Sequence, residues 1–396
     1  MIPRMLFSAE HDTFRDTARR FIAREITPHH AEWEKAGLVP RELWRKAGAA
    51  GLLCCDVPDT YGGMGGDFLY STIMIEEMAR AGATGPTFYL QSDIIAPYFV
   101  EFGTEQQKQR WLPKMASGEV VTAVGMTEPS GGSDLQAMRT TAIRDGDEYV
   151  INGQKVFITN GNSADLLVLS CKTDPKARAK GVSLLLVETD RPGYQRGRSL
   201  EKIGCKAQDT SELFFADLRV PVTNLLGEEG RGFYHLMSQL SQERLVQAIR
   251  AVASSEVALE WTLDYVVQRK MFGHTLADFQ NTQFKLAEMR SEILAQRVFV
   301  DRCVQLHLHK KLDAVDAAIA KMISTELQGK VMDQCLQLFG GWGYMWEFPI
   351  ARAYADARMT RIGGGSIEVM KQIIGRDMLP KPEKRARSVD PAPQAT

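Results

Sequence analysis

The chain has 396 residues, and its 48 basic residues nearly balance its 49 acidic ones, for a net charge of −1. This length is enough for two or three domains with a sizeable core. The balanced charge gives no general electrostatic attraction to nucleic acid or to an acidic membrane, so neither partner is expected. The sequence has no apolar run near the roughly 20 residues that a membrane-spanning helix requires.

The N-terminal sequence MIPRMLFSAEHD lacks the long apolar core of a secretory signal, and no Arg-rich transit peptide is evident. We therefore expect a cytoplasmic protein. The six cysteines show no CxxC spacing, which favours buried, reduced thiols. The histidines show no HExxH spacing, so no metal site is expected.

Residues 1–118 are predicted to form an N-terminal helical domain, because apolar residues such as Phe14 and Ala18 recur at helix spacing. Within this domain the neighbouring pair Glu76 and Glu77 has two interpretations. The pair could be a functional acid pair, but a solvated helix face is the favoured interpretation, since charged helical residues usually face water.

In residues 119–230 the spacing of apolar residues changes to a period of two, which is typical of strands. This pattern predicts a middle β domain that forms a barrel or sandwich. Its first part, AVGMTEPSGGSDL, places Thr127 and Ser133 on either side of a turn that contains Gly131 and Gly132. Glycines let the backbone approach a ligand closely, and turn amides can point at phosphate oxygens. The segment therefore suits a phosphate-bearing cofactor.

A β-hairpin is predicted directly after this turn. The segments 148–151 and 155–159 flank Asn152 and Gly153, a strong short-range hairpin signal. The second segment ends in Phe157, Ile158 and Thr159, an aromatic wall beside a hydroxyl group. A planar cofactor would suit that wall.

Residues 231–380 are predicted to form a C-terminal four-helix bundle. Long amphipathic patterns cover about 232–269, 276–309, 313–338 and 364–376. Residues 381–396 are basic and then rich in Pro and Ala, so they are predicted to be a disordered tail. The predicted fold class is mainly α with a central β domain.

Several motifs in this order resemble the acyl-CoA dehydrogenase family. They are TEPSGGSD followed by KVFITNG, then QRKMFG, QLFGGWGY and RIGGGSIE. The C-terminal half is most similar to the long-chain branch. The resemblance implies a three-domain fold, FAD, usually a homotetramer, and electron transfer to an electron-transferring flavoprotein. The implied reaction removes the α-proton of a medium- or long-chain acyl-CoA with a carboxylate, while a hydride leaves the β-carbon for flavin N5.

The position of the catalytic base departs from the pattern of most of the family. A Tyr-Glu-Gly-Thr segment usually carries it, but this chain has Gly363, Gly364, Gly365 and Ser366 there. The isovaleryl and long-chain branches carry the Glu on an earlier helix, where this chain has the sequence SQERL. The resemblance therefore implies that Glu243 is the base. The alternative is a surface Glu paired with a neighbour.

The resemblance also assigns cofactor and substrate contacts. The implied cofactor residues are Met126, Thr127, Ser133, Phe157, Ile158, Thr159, Arg269, Phe272, Gln280, Gln337, Gly340, Gly341, Ser366 and Glu368. The implied substrate residues are Ser133, Tyr234, Ser241, Arg244, Gly364 and Gly365. The adenine dinucleotide would lie partly across a subunit boundary, and the Gly364 amide would hold the thioester oxygen. Structural alternatives remain for Arg269, as a helix C-terminal cation, and for Gly340 and Gly341, as a helix cap.

Gly363 replaces a Tyr of the relatives, and a lost aromatic ring would leave volume. We therefore hypothesise that methyl-branched or bulky acyl chains are accepted as well as straight ones. Two other functions stay open. The chain could be an oxidase that reduces dioxygen, or a non-catalytic acyl-CoA-binding paralogue.

Overall fold

The computed structural model describes residues 2–379, so the predicted tail at 381–396 lies outside the described residues. The chain begins with six helices, continues through eight strands, and ends in five helices. Among residues 2–379, no helix combines the length and apolar character needed to cross a bilayer. All six cysteines are free and buried, as the sequence predicts.

The six N-terminal helices pack around two main apolar cores, one shared by the first four helices and one that joins the last two to the sheet. Side-chain caps start two of them: Asp67 accepts the Leu69 N–H, and Thr104 forms a capping box with Gln107. A π-helical turn, Leu90–Ile95, precedes the fifth helix. The helices are α1 (Ala9–Phe21), α2 (His30–Ala36), α3 (Arg41–Ala49), α4 (Phe68–Arg80), α5 (Ala96–Phe102) and α6 (Glu105–Ala116).

The interpretation of Glu76 and Glu77 as a solvated helix face is wrong. Both carboxylates are buried on α4. Glu76 accepts hydrogen bonds from three guanidinium groups and Glu77 from two, and these donors come from Arg4, Arg15, Arg19 and Arg297. Buried carboxylates require such partners. The arginines come from distant parts of the chain, so no local pattern reveals them.

The middle region forms one hydrogen-bonded sheet with the strand order β6-β7-β3-β2-β4-β5-β8, and β1 pairs in parallel with β4. Alternate residues of β4 and β5 face two different apolar cores, which explains why nearly every residue of both strands is buried. The strands are β1 (Thr122–Gly125), β2 (Thr141–Asp145), β3 (Glu148–Thr159), β4 (Leu166–Lys172), β5 (Val182–Glu188), β6 (Tyr194–Ser199), β7 (Thr210–Pro221) and β8 (Leu225–Leu226).

The predicted hairpin at Asn152 and Gly153 is wrong, because β3 runs straight through both residues. The real hairpin joins β2 to β3, with Asp145 paired to Glu148. At Asn152 the register with β7 shifts, and the Asn152 amide pairs with Asp217. Gly153 has φ +148°, and a Cβ there would lie 2.6 Å from Thr140 Oγ1. The Asn-Gly pair thus marks a β-bulge rather than a turn.

The C-terminal region has five helices rather than the predicted four. The four predicted helices exist, with a small β9–β10 hairpin (Lys270–Met271, His274–Thr275) between the first two. The additional helix buries mainly Ile350 and small alanines, so its apolar periodicity is weak. The helices are α7 (Gly232–Gln268), α8 (Gln280–Leu308), α9 (Ala314–Phe339), α10 (Pro349–Thr360) and α11 (Ile367–Met378).

Candidate active site

Glu243 lies on α7 and points into the protein rather than into solvent. It is 8 % exposed, and its Oε1 accepts a 3.0 Å hydrogen bond from the hydroxyl of Tyr98 on α5. Burial raises the pKa of Glu243 to about 7, and the Tyr98 hydrogen bond and the Arg244 charge oppose that rise. A carboxyl group that titrates near neutrality suits general base catalysis. The surface ion pair, the alternative interpretation of Glu243, does not match this environment.

Neighbouring polar contacts hold α7 against the N-terminal helices around Glu243. Gln242 donates to the Asp93 carbonyl at 2.8 Å, and Gln239 donates to Glu101. Leu245 and Val246, on the next turn, are fully buried in an apolar cluster. Packing on both sides therefore fixes the rotation of the helix, and with it the direction of Glu243.

The triple-glycine turn lies beside the same face of α7. An ideal Cβ on Gly364 would lie 3.4 Å from Cγ of Gln247, which is one helical turn beyond Glu243. Gly364 has φ +65° and Gly365 has φ +89°, conformations that favour glycine. The tertiary structure thus brings together Glu243 and the turn that lacks a carboxylate.

Lys321 of α9 fixes this turn from behind. Its side chain is buried, and its Nζ donates a 2.7 Å hydrogen bond to the Gly365 carbonyl. Burial lowers the pKa of Lys321 to about 8; the Arg244 charge adds to that effect, and the Glu368 charge opposes it. Lys321 has no motif around it, so no pattern in the sequence indicates its role.

Arg244 is buried next to Glu243. Burial lowers the pKa of Arg244, and the neighbouring Glu243 charge opposes that effect. Among residues 2–379, its Nε has no hydrogen-bond partner. Tyr234 precedes Glu243 by nine residues, so its side chain leaves the opposite side of α7, and Ser241 also lies away from the Glu243 face. The structure places Arg244, but not Tyr234 or Ser241, beside the candidate base.

The space beside Gly363 is filled. An ideal Cβ on Gly363 would lie 2.8 Å from Sδ of Met359. Met359 therefore occupies volume next to this glycine. The end of the Met359 side chain thus lies where part of the extra volume for a branched substrate would be, and the hypothesis of such a substrate stays a prediction.

The loop that contains Met126 and Thr127 is fixed by a buried ion pair. Lys155 Nζ donates to the Met126 carbonyl at 3.0 Å and to Glu128 Oε1 at 2.9 Å. Glu128 also accepts the backbone N–H groups of Arg139 and Thr140. Burial acts to raise the pKa of Glu128, but Lys155 and these N–H groups outweigh it, so the pKa is lowered. The ion pair and these hydrogen bonds therefore hold the loop in place.

We predict that Lys155→Met weakens retention of the flavin that the motifs imply, because the substitution leaves the Glu128 carboxylate buried without its cation. The variant should lose bound flavin at least tenfold more readily than the wild type during dialysis, as measured by flavin fluorescence in the filtrate. Substitution of the exposed Lys176 by Met is the control. Equal flavin retention in all three proteins would contradict the prediction.

Phe157 and Thr159 lie on one face of β3, where the register with β7 shifts a second time. Phe157 has φ +60° and is 67 % exposed, which is unusual for an aromatic residue in a strand. Thr159 Oγ1 accepts a 2.8 Å hydrogen bond from Gln208, whose buried Oε1 has no partner among the described residues. Ile158 points the other way, into the apolar core, so its side chain is not a candidate contact.

Four of the other predicted cofactor residues line a second candidate binding site. Arg269, Gln337, Gly340 and Gly341 line a cavity of about 600 Å³, and a Cβ on either glycine would meet no atom within 4 Å. Phe272 has φ +51° and is 86 % exposed, and it does not line this cavity. The cavity lining includes neither Gln280, at the start of α8, nor any residue of the 126–133 loop. One chain thus presents two separate sets of candidate contacts.

Ser366 and Glu368 start the last helix. The Ser366 side chain accepts the Val369 N–H as the N-cap of α11. Backbone and Ser366 hydrogen bonds lower the pKa of Glu368, which lies in the first helical turn. Both residues follow the glycine turn directly and are half-buried or exposed.

Three family models cover almost the whole chain: acyl-CoA dehydrogenase N-terminal domain over residues 8–119, middle domain over 123–218 and C-terminal domain over 230–379. The long-chain specific acyl-CoA dehydrogenase of Sus scrofa, a mitochondrial protein, is 51% identical over 95% of this chain and 88% of its own. The chain belongs to the acyl-CoA dehydrogenase family.

Two solved acyl-CoA dehydrogenases of this family share the fold. The acyl-CoA dehydrogenase of Geobacillus kaustophilus is 49% identical, with a TM-score of 0.94 over 95% of this chain and 100% of its own. A glutaryl-CoA dehydrogenase of Mycobacterium smegmatis in complex with FADH2 is 27% identical, with a TM-score of 0.89 over 95% and 96% of the two chains. The family and the three-part fold predicted from the motifs are confirmed, and the protein is an oxidoreductase of this family.

Proposed function

We propose that this acyl-CoA dehydrogenase removes two hydrogens from the α and β carbons of an acyl-CoA thioester, with Glu243 as the base. The observation that carries the proposal is a buried carboxyl with a pKa near 7, placed one helical turn before Gln247, whose Cγ would lie 3.4 Å from a Cβ on Gly364. A thioester α-proton is weakly acidic. The base must therefore be poised near the working pH and shielded from water.

Besides a base, the reaction requires stabilisation of the enolate charge that develops on the thioester oxygen. The glycine turn would supply it. A backbone N–H at Gly364 is a fixed dipole, and Lys321 holds the turn through the Gly365 carbonyl. A preorganised donor needs no reorganisation during the reaction, so it lowers the barrier more than a mobile one. Arg244 adds positive charge beside the same site.

The chain's residues fit FAD. Thr127, Ser133, Phe157 and Thr159 would hold the flavin and its pyrophosphate, and the unpartnered Oε1 of Gln208 lies beside Thr159. FAD, when bound, would accept the hydride from the β-carbon. The second set, at Arg269 and Gly340, would hold the adenine dinucleotide of another copy. This arrangement supports the homotetramer that the motifs predict.

The substrate class follows from the relatives rather than from a single residue. A relative that is 51% identical is long-chain specific, which supports a medium- or long-chain acyl-CoA. Met359 beside Gly363 argues for a straight chain near the reacting carbons. An electron-transferring flavoprotein as acceptor and a cytoplasmic location are further parts of the proposal, although the long-chain relatives are named as mitochondrial.

The decisive experiment is an anaerobic titration of the flavin-loaded protein with straight-chain acyl-CoA esters. We expect the yellow flavin absorbance to bleach, with 2-enoyl-CoA as product. No bleaching with any chain length would reject the proposal and favour a non-catalytic paralogue. Rapid reoxidation in air, with peroxide formation, would indicate an oxidase instead of transfer to a flavoprotein.

Tyr98→Phe should shift the pH profile. The Tyr98 hydrogen bond stabilises the carboxylate, so its loss raises the pKa of Glu243 above about 7. The base must be ionised in the free enzyme, so kcat/KM rises with pH through this pKa. The variant should therefore reach half of its maximal kcat/KM about one pH unit higher, with the larger loss at pH 6. An unchanged profile would show that Tyr98 has no such role.

A further inference from the structure

The side of α7 that carries Glu243 continues, from Arg250 onward, along a partly enclosed cavity. Arg250 lies seven residues after Glu243, and Ser254, Val257 and Trp261 follow at spacings of four, three and four residues. These four residues line the cavity, which has a volume of about 160 Å³. Met74 and Met78 of α4 form an opposite wall. An acyl chain that starts at Glu243 and extends along α7 would reach a space lined by both apolar and polar side chains, with Arg250 as the arginine of that helix.

Arg250 is one of two arginines that line this cavity, and the other is Arg352 of α10. Its guanidinium carbon lies 4.1 Å from the ring centroid of Tyr89, and one N–H donates to Gln247 Oε1 at 3.0 Å. Among residues 2–379, no carboxylate forms an ion pair with it. A guanidinium has five N–H donors, so most of them are free for a ligand.

Three acids line the same cavity: Glu34, Asp93 and Asp356. Glu34 accepts the Trp346 indole N–H at 3.2 Å. Asp356 accepts the Cys205 N–H and, at 3.1 Å, the Thr84 hydroxyl. Burial raises the pKa of Asp356 to about 6 and raises the pKa of Asp93 well above its usual range. None of the three acids forms an ion pair with Arg250, but the Arg250 charge acts on Asp356 and opposes the rise in its pKa.

We propose that Arg250 forms a subsite for a carboxylate at the far end of the acyl chain, so that the preferred substrate is the CoA monoester of a dicarboxylic acid. The inference rests on the proposed function of Glu243. Arg250 lies seven residues beyond Glu243, about 10 Å along the helix. An extended chain advances roughly 3.5 Å for every three bonds, so a chain of about ten carbons spans this distance. The planar guanidinium matches a carboxylate through paired hydrogen bonds.

The test compares decanoyl-CoA, its ω-hydroxy derivative and the CoA monoester of decanedioic acid, on wild type, Arg250→Leu and Arg250→Lys. We expect the wild type to show the highest kcat/KM with the carboxylated chain. Arg250→Leu should lose about 100-fold with that substrate and gain activity with the plain chain, while Arg250→Lys keeps an intermediate preference. The exposed Arg302, which also donates to a glutamine, provides the control variant Arg302→Leu.

Three outcomes would overturn the subsite. They are a wild-type preference for the plain chain, an ω-hydroxy chain as good as the carboxylated one, and an equal loss on all chains in Arg250→Leu. The wild-type comparison and Arg250→Lys keep the test valid if the leucine variant does not fold. Bleaching by plain decanoyl-CoA alone would reject only the subsite, whereas bleaching by no acyl-CoA would reject the proposed function itself.

Discussion

Glu243→Gln is expected to lower kcat by about 10³- to 10⁴-fold while the protein still binds flavin and acyl-CoA. Gln has the shape of Glu and can still accept the Tyr98 hydroxyl hydrogen bond, but it cannot take a proton. The rate of flavin bleaching after rapid anaerobic mixing measures the effect directly. A matched control is Glu260→Gln, an exposed carboxylate on the same helix. Bleaching at the wild-type rate in Glu243→Gln would remove this residue from the mechanism.

The same substitution should stabilise the protein above neutral pH. The folded-state pKa of Glu243 is about 7, above its ordinary value of 4.5, so the folded state binds more protons than the unfolded state between these values. Stability therefore falls as pH rises through this window, and the ionised carboxylate costs about 2–3 kcal/mol at pH 8. Glu243→Gln should recover part of that cost at pH 8 and little at pH 4. Lower stability of the variant at pH 8 would contradict the burial of a charged base.

Glu76→Leu is expected to destabilise the protein by about 3–5 kcal/mol, because it leaves the buried guanidinium group of Arg297 and the partly buried one of Arg4 without their shared carboxylate. Burial opposes ionisation of Glu76, but the charges of Arg297 and Arg4 outweigh it and lower its pKa to about 2. Urea denaturation followed by circular dichroism provides the measurement. Glu42→Leu, at an exposed ion pair with Lys46, should change stability by less than about 0.5 kcal/mol.

Glu76 forms an ion network with Arg4, Arg15, Arg297 and, through Arg4, Asp301. The contribution of this network to stability changes with pH in the opposite direction to that of Glu243. A carboxylate whose folded pKa is depressed stabilises the protein fully above its unfolded pKa of 4.5. This contribution is lost as pH falls from about 4.5 to about 2. The wild type should therefore lose its advantage over Glu76→Leu across this acid range. A difference that stays constant down to pH 2 would show that the ion network contributes nothing through charge.

The network also has a structural consequence, since its members come from three distant segments. Arg4 precedes α1, Glu76 lies on α4, and Arg297 and Asp301 lie on α8. The ion pairs thus join the N-terminal helices to the C-terminal bundle, the same two regions that enclose Glu243. Loosening of this contact should change the active site as well as the stability. We expect Glu76→Leu to lower kcat even at temperatures where it remains folded.

The three regions of the fold and the family of this protein could be predicted from local sequence. Helix and strand periods located the three regions, and the motif order identified the family, because each pattern depends on neighbours along the chain. The Gln-Glu-Arg-Leu segment and the triple glycine together also indicated Glu243. The prediction from local sequence was wrong at Asn152 and Gly153, because an Asn-Gly pair suits a β-bulge as well as a turn. The pairing of Asn152 with Asp217 on β7 decides in favour of the bulge.

Only the tertiary structure decided which distant groups meet. The partner of Tyr98 is 145 residues away, and Lys321 contacts a carbonyl 44 residues further along the chain. Burial of Glu76 and Glu243 and the isolation of Arg250 depend on the same long-range packing. The charge state of a group depends on its solvation and its neighbours in space. The sequence therefore determined which chemical groups are available, and the fold decided which of them are buried, paired or free to react.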